Sequence, residues 1–182
     1  MKKLIILLVL AALLMAGCGA EKTPQTETPT SAPTEAPTEA ESVLAPDFTV
    51  LDSDGNELNL HSFFGKPVVL NFWASWCGPC KNEMPDFEEA YKTYGEQIHF
   101  IMVNLTDGGT ETLDSAKSFV SQSGYTFPVY YDTTSEAAST YGIRSIPNTF
   151  FLDQEGNVVA YADRMIDAET LQRGIDMILP TE

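Results

Sequence analysis

The chain has 182 residues, with 26 acidic residues against 10 basic ones and a formal net charge of −16. Such an acidic balance excludes an electrostatic grip on nucleic acid or on anionic lipid. Two histidines and three cysteines leave few soft ligands for a structural zinc, which takes four.

The N-terminus has its own character. Met1-Lys2-Lys3 is basic, Leu4 to Ala16 is unbroken and apolar, and Gly17 and Cys18 follow. That is the layout of a bacterial secretory signal, and it falls short of the roughly 20 residues of a membrane span. Leu14-Met15-Ala16-Gly17-Cys18 resembles the lipobox of bacterial lipoproteins, with Met15 where leucine is more usual. The resemblance implies a signal peptide over 1–17, a lipidated Cys18, and a place on the extracytoplasmic face of the bacterial cell membrane. An uncleaved anchor with an incidental cysteine would put the rest of the chain on the same side.

Residues 18–42 are dominated from Glu21 onward by Thr, Pro, Glu and Ala. They carry too little apolar surface to offset the entropy of ordering. A stiffened tether is expected, reaching about 60 Å at roughly 3 Å per residue. Residues 43–182 are long enough for one domain with its own core.

Within that domain the elements follow in order. Asp47 to Leu51 and Glu57 to Leu60 read as a hairpin around Asp52-Ser53-Asp54-Gly55. Val68 to Trp73 is near-continuously apolar, as a strand covered on both faces would be. From Cys77 the spacing turns helical, with Met84, Phe87, Ala90, Tyr91 and Tyr94 on one side, Pro85 as a kink and Gly95 as the stop. Ile98 to Leu105 reads as a second buried strand. Thr112 to Gln122 reads as a helix with Leu113, Ala116, Phe119 and Val120 inward, ended by Gly124. Val129 to Tyr131 is a short strand, and Ser135 to Tyr141 a short helix. Asn148 to Leu152 and Val158 to Ala162 are strands, and Asp167 to Leu179 closes the chain as an amphipathic helix. Strands alternating with helices predict a three-layer α/β domain with a mixed sheet.

Cys77 and Cys80 lie where the buried strand gives way to the helix. A cysteine at a helix N-terminus meets unpaired N–H groups and the positive end of the macrodipole, which favour its thiolate. One turn on, Cys80 shares its face and stands within reach of a disulfide. Gly78 gives little steric cover, and Pro79 fits a first turn whose N–H has no helical partner. Two blander readings stand beside redox chemistry. A structural disulfide closing so short a loop would contribute little. Half a zinc site would have to recruit His61 and His99.

Phe72-Trp73-Ala74-Ser75-Trp76-Cys77-Gly78-Pro79-Cys80-Lys81 closely resembles the active-site segment of thioredoxins, and Tyr141-Gly142-Ile143-Arg144-Ser145-Ile146-Pro147 resembles their cis-proline loop. The resemblance covers most of Ala45 to Leu179. It implies a thioredoxin-like α/β/α fold, a Cys77–Cys80 disulfide, a cis Pro147 facing it, and an Ile146 backbone offered to an extended substrate. Trp76 would flank the thiol as a docking surface, with Gly78 and Pro79 beside it. Thioredoxins carry a buried aspartate where this chain has Asn71, and Glu83 follows Cys80 by three residues. With the N-terminal hairpin extension and the anchor, these departures resemble the TlpA/ResA group of extracytoplasmic thiol–disulfide oxidoreductases. There a glutamate at this position lies near the cysteines. A partly buried Glu83 would carry protons for Cys80, as opposed to lying solvated like Glu88 or Glu89. Asn148 stands where threonine is commoner.

The resemblance implies a reductase of protein disulfides, in cytochrome c maturation or envelope thiol homeostasis. It implies recharging by a membrane thiol–disulfide electron donor, no cofactor, no metal, and a monomer. A thiol peroxidase is an alternative, since the group is related to peroxiredoxins. However, the peroxiredoxin Pro-x-x-x-Thr-x-x-Cys pattern meets Ala74 where it needs threonine. A disulfide-forming oxidant and a binding lipoprotein with a vestigial pair remain as further alternatives.

Overall fold

The computed structural model describes residues 42–180. The expected signal peptide 1–17, Cys18 and nearly all of the tether lie outside the described residues.

β1 (Thr49–Leu51) and β2 (Glu57–Asn59) pair antiparallel, with Val50 opposite Leu58. Asp52 builds the turn between them. Its Oδ1 accepts the N–H groups of Asp54 and Asn56, each at 2.9 Å, and Gly55 supplies a φ of 87° that glycine adopts without strain. The strand expected to reach Leu60 stops at Asn59. The Leu60 N–H turns back to the Phe48 carbonyl at 3.1 Å, and a 3₁₀ turn over Leu60–Phe63 drives Leu60 into the core.

The chain then alternates through β3 (Val68–Trp73), α1 (Gly78–Tyr94), β4 (His99–Asn104), α2 (Leu113–Ser123), β5 (Val129–Tyr131) and α3 (Glu136–Thr140). It closes with β6 (Asn148–Leu152), β7 (Val158–Ala162) and α4 (Ala168–Ile178). The sheet order is β2-β1-β5-β4-β3-β6-β7. β3 runs parallel to β4 and antiparallel to β6, so the sheet is mixed.

Every residue of β3 is buried, and its alternation divides the core. Val69 and Trp73 face Met84 and Phe87 of α1, Phe119 of α2, and Leu171 and Ile175 of α4. Val68, Leu70 and Phe72 face Phe48, Leu60 and Ala137 on the other side. Burying a side chain as large as Phe72 or Phe87 stabilises by about 1.5–3 kcal/mol, so β3 anchors both layers. Asn71 shares the parity of Val69 and Trp73, which aims its polar side chain at α1.

The helix ends follow their caps. Thr112 and Ser115 form a capping box at α2, which ends at Gly124 with φ 70°. Asp167 Oδ1 accepts the Thr170 N–H at 2.9 Å to start α4. α1 continues unbroken through Pro85. Glu88 is not a solvated residue of that helix but is 6% exposed. Its carboxylate takes the Thr126 N–H at 2.8 Å and the Thr126 hydroxyl at 2.7 Å, binding α1 to the approach to β5. Only a distant loop supplies those donors, so helical spacing could not reveal them.

Phe72 pairs with Asn148 at the end of β3 that leads to Cys77, and Val68 pairs with Leu152 at the other. The chain enters the domain at this second end, where Leu44 bridges Asn157 and the Ala45 N–H meets the Gly156 carbonyl at 2.9 Å.

α4 packs against β6 at Gly174, where an added Cβ would run into the Phe151 ring. Alanine is about 1 kcal/mol better than glycine inside a helix, whereas overpacking costs about 1–3 kcal/mol. Gly174→Ala is expected to lose up to about 2 kcal/mol in urea unfolding. A variant more stable than the parent would show that α4 does not dock on Phe151.

Candidate active site

After Trp73 the backbone turns, with the Cys77 N–H meeting the Ala74 carbonyl at 3.1 Å. Cys77 is the N-cap of α1, and its Sγ accepts the Cys80 N–H at 3.2 Å. Pro79 lies in the first turn, where no N–H is missed. Cys77 and Cys80 are joined as a disulfide, with Cα atoms 5.3 Å apart. Cys77 is 3% exposed and Cys80 fully buried. Access to sulfur is therefore narrow and lies on the Cys77 side, where Gly78 has no neighbour that a side chain would meet.

The Ile146–Pro147 peptide is cis, and the Ile146 carbonyl lies 3.8 Å from Cys77 Sγ. Asn148 fixes this loop by donating its side-chain amide to the Ser145 carbonyl. Trp76 is 55% exposed. With Leu105, Ile143, Arg144, Ser145 and Ile146 it lines a groove of about 400 Å³ beside the disulfide. The structure thus brings Trp76, Cys77, Gly78, Pro79, Cys80, Ile146 and Pro147 into one locality, while His99 starts β4 opposite Val68, at the far end of β3.

Glu83 lies behind the pair on α1, 2% exposed. Its Oε1 accepts Asn71 Nδ2 at 2.9 Å, and its Oε2 accepts the Ile166 N–H at 3.1 Å. Burial outweighs these two hydrogen bonds, and Asp86 adds repulsion, so the Glu83 carboxyl is pushed up to about 7. Asn71 also donates to Thr149 Oγ1 at 3.0 Å, its cross-strand neighbour on β6. Both amide hydrogens are then used, and Asn71 Oδ1 is buried without a partner among the described residues.

Another buried carboxylate near the cysteine pair has no signal in the sequence. Glu111, 1% exposed, accepts the Ser75 N–H at 3.0 Å, the Ser75 hydroxyl at 2.8 Å and Asn104 Nδ2 at 2.9 Å. It lies in Thr106-Asp107-Gly108-Gly109-Thr110-Glu111, which has the composition of a solvated turn. Asp107 gathers that turn by accepting the Gly109 and Glu111 N–H groups, each at 2.8 Å. Leu105 in the groove was likewise readable only as the end of a strand.

Because the folded-state pKa of Glu83 lies above its unfolded value, its contribution to stability is full below about pH 4.5. It is lost as pH rises through about 7. Between pH 5 and 8 the oxidised protein is expected to lose up to about 3 kcal/mol relative to a Glu83→Gln variant. Urea unfolding at the two pH values measures this, and parallel curves would refute a buried, raised carboxyl.

Comparison with known proteins agrees with this geometry. The model of the AhpC/TSA family matches residues 43–161. A thiol-disulfide oxidoreductase ResA of Bacillus thuringiensis subsp. konkukian is 38% identical over 136 residues, 75% of this chain and 77% of the relative. A second ResA, from Geobacillus thermodenitrificans, is 33% identical over 184 residues, 99% of this chain and 95% of the relative. Among solved structures, the pneumococcal exposed lipoprotein thioredoxin from Streptococcus pneumoniae superposes with a TM-score of 0.63 at 30% identity. That match covers 72% of this chain and 99% of the other. With a buried Cys-Gly-Pro-Cys disulfide set on a mixed sheet, the chain belongs to the AhpC/TSA family and, within it, to the thiol–disulfide oxidoreductases of ResA type.

Proposed function

We propose that this protein is a lipid-anchored, extracytoplasmic reductase of protein disulfides, working through Cys77 and Cys80 and recharged by a membrane thiol–disulfide electron donor. The observation that carries the reading is the Cys77–Cys80 disulfide at the N-terminus of α1, with the cis Ile146–Pro147 loop in front of it and buried Glu83 behind. The lipobox-like segment ending in Cys18 and the description of the pneumococcal relative as an exposed lipoprotein support the anchor. The chain enters the domain at the end of the sheet remote from Cys77. Its substrates are apocytochrome c or other envelope proteins with disulfides.

In the reduced protein the Cys77 thiolate attacks one sulfur of a substrate disulfide. A Cys77–substrate disulfide forms and the other substrate sulfur leaves as thiolate. Cys80 then gives its proton to ionised Glu83 and attacks Cys77 Sγ. The Cys77–Cys80 disulfide closes, the second substrate thiolate leaves, and two electrons have passed to the substrate. Glu83 returns its proton to the products through solvent. A carboxyl near 7 is divided between its two forms at neutral pH, which suits a group that accepts and releases a proton in each cycle. Trp76, Ile146 and Pro147 hold the substrate segment, and Gly78 and Pro79 leave it room. Outside the cytoplasm disulfides persist by default, so a net reductase needs its own supply of electrons.

Variants separate the roles. Cys77→Ser is expected to abolish insulin-disulfide reduction, and Cys80→Ser to accumulate mixed disulfides visible on non-reducing gels. Glu83→Gln is expected to slow resolution of the mixed disulfide by about a hundredfold or more and to remove its rise with pH near 7. Full turnover by Cys77→Ser would sink the mechanism.

The direction of electron flow rests on the reduction potential of the pair, measured by equilibration against a dithiol buffer. A value near or below roughly −270 mV, that of thioredoxin, is expected of a reductase, whereas one near about −120 mV would make the protein a disulfide-forming oxidant. Peroxide consumption through Cys77 at rates above its disulfide exchange would favour a peroxidase instead.

A further inference from the structure

Glu111 is a buried carboxylate that the mechanism above does not use. All three of its neighbours donate to it: the Ser75 N–H, the Ser75 hydroxyl and Asn104 Nδ2. An ionised carboxylate takes donors alone. Burying it is compensated only by hydrogen bonds, because no lysine or arginine pairs with it among the described residues. Its partners hold it from two sides. Asn104 ends β4 and is fixed in turn by the Thr106 hydroxyl at 2.8 Å and by the Asp132 N–H at 2.9 Å. Ser75 opens the turn that delivers Trp76 and Cys77. One side chain therefore clamps the backbone two residues before the sulfur to the end of a core strand.

We propose that Glu111 is a positioning residue for the redox centre, which holds the Ser75–Trp76–Cys77 turn in place and whose negative charge restrains ionisation of the Cys77 thiol. The inference rests on reading Cys77–Cys80 as the redox pair. The position part follows from geometry. Releasing Ser75 frees Trp76, a wall of the groove, and the N-cap geometry of Cys77. The charge part follows from distance. Ser75 and Cys77 are two residues apart across a turn, which sets the carboxylate roughly 10 Å from the sulfur. At an effective dielectric constant of about 20, a unit charge that far away changes an ionisation equilibrium by about tenfold. It opposes the N-terminus of α1 and the Cys80 N–H, which favour the thiolate. The other charged groups on the elements meeting here are Lys81, Glu83, Asp86, Glu88, Glu89 and Lys92 on α1, Arg144 on the cis-proline loop, buried Asp132 after β5, and Asp107 and Asp114 near Glu111 in the chain. Neither variant below alters them.

The test compares Glu111→Gln, which removes the charge, keeps one oxygen to accept the Ser75 N–H and Asn104 Nδ2, and offers an amide N–H that the Ser75 hydroxyl can accept, with Glu111→Ala, which removes the charge and every hydrogen bond. The full-length chain is used. Thiolate fraction is read from the alkylation rate of reduced Cys77 against pH, and catalysis from dithiothreitol-driven insulin reduction. Glu111→Gln is expected to raise the Cys77 thiolate fraction at fixed pH threefold to tenfold, with KM within twofold of the parent. Glu111→Ala is expected to show the same rise in thiolate, together with a severalfold higher KM and altered Trp76 fluorescence. Parental thiolate fraction and KM in both variants, with only a lower melting temperature, would make Glu111 a residue of the fold and overturn the proposal. A parent protein whose Cys77 never alkylates at all would overturn the redox reading itself, and the inference with it.

Discussion

The hydrogen bond from Asn71 Nδ2 to Glu83 Oε1 joins the central strand to the helix that carries both cysteines. Burying a carboxylate is costly unless it is hydrogen-bonded, and Glu83 receives donors from two elements, β3 through Asn71 and the segment before α4 through Ile166. These fix the rotation of α1 about its axis, because Glu83 can reach both only if Met84 and Phe87 point into the sheet. The same rotation turns Cys80 inward and leaves Cys77 at the edge. The asymmetry between an approachable and a protected sulfur thus follows from how the helix is pinned as well as from the spacing of the pair.

The two donors are too few to cancel the desolvation of Glu83, which is why its pKa ends near 7 instead of in the ordinary carboxylate range. Glu88, five residues on, shows the contrasting case. Thr126 and Phe127 give it three donors from one loop, and Lys92 lies 3.6 Å away. Burial is compensated there, and the residue joins elements without titrating near neutrality. Two glutamates on one helix thus serve different ends because their surroundings supply different numbers of donors.

Much of this was legible in the sequence. The strands and helices follow from period-2 and period-3.6 patterns, the cysteine pair from its place at a helix start, and the other expected site residues from the resemblance to thioredoxins and the TlpA/ResA group. Trp76, Cys77, Gly78, Pro79 and Cys80 are contiguous, and Glu83 lies one turn beyond Cys80. Ile146 and Pro147 were readable because a second segment carries its own signature. What escaped was set by tertiary contact. Glu111 is 34 to 36 residues from the turn it clamps and sits among glycines and threonines that resemble a surface loop. Glu88 has helical neighbours typical of a solvated face, and its partners lie 38 residues away. Leu60 leaves its strand because of a backbone bond to Phe48, which no side-chain pattern reports.

Asn71 shows how a single atom can set the proton chemistry. An amide donates to Glu83 and Thr149 and holds no charge of its own. A carboxylate there would stand about 3 Å from Glu83, and two such anions cannot both ionise near neutral pH. The proton would then be shared by a coupled pair, and neither member would titrate independently. With Asn71 the carboxyl behind Cys80 titrates as one group, and its midpoint is set by how far the protein buries it. A fold selected for stability alone would fill that place with a hydrophobic residue. Keeping the amide lets Glu83 ionise on its own, one turn along α1 from the buried sulfur.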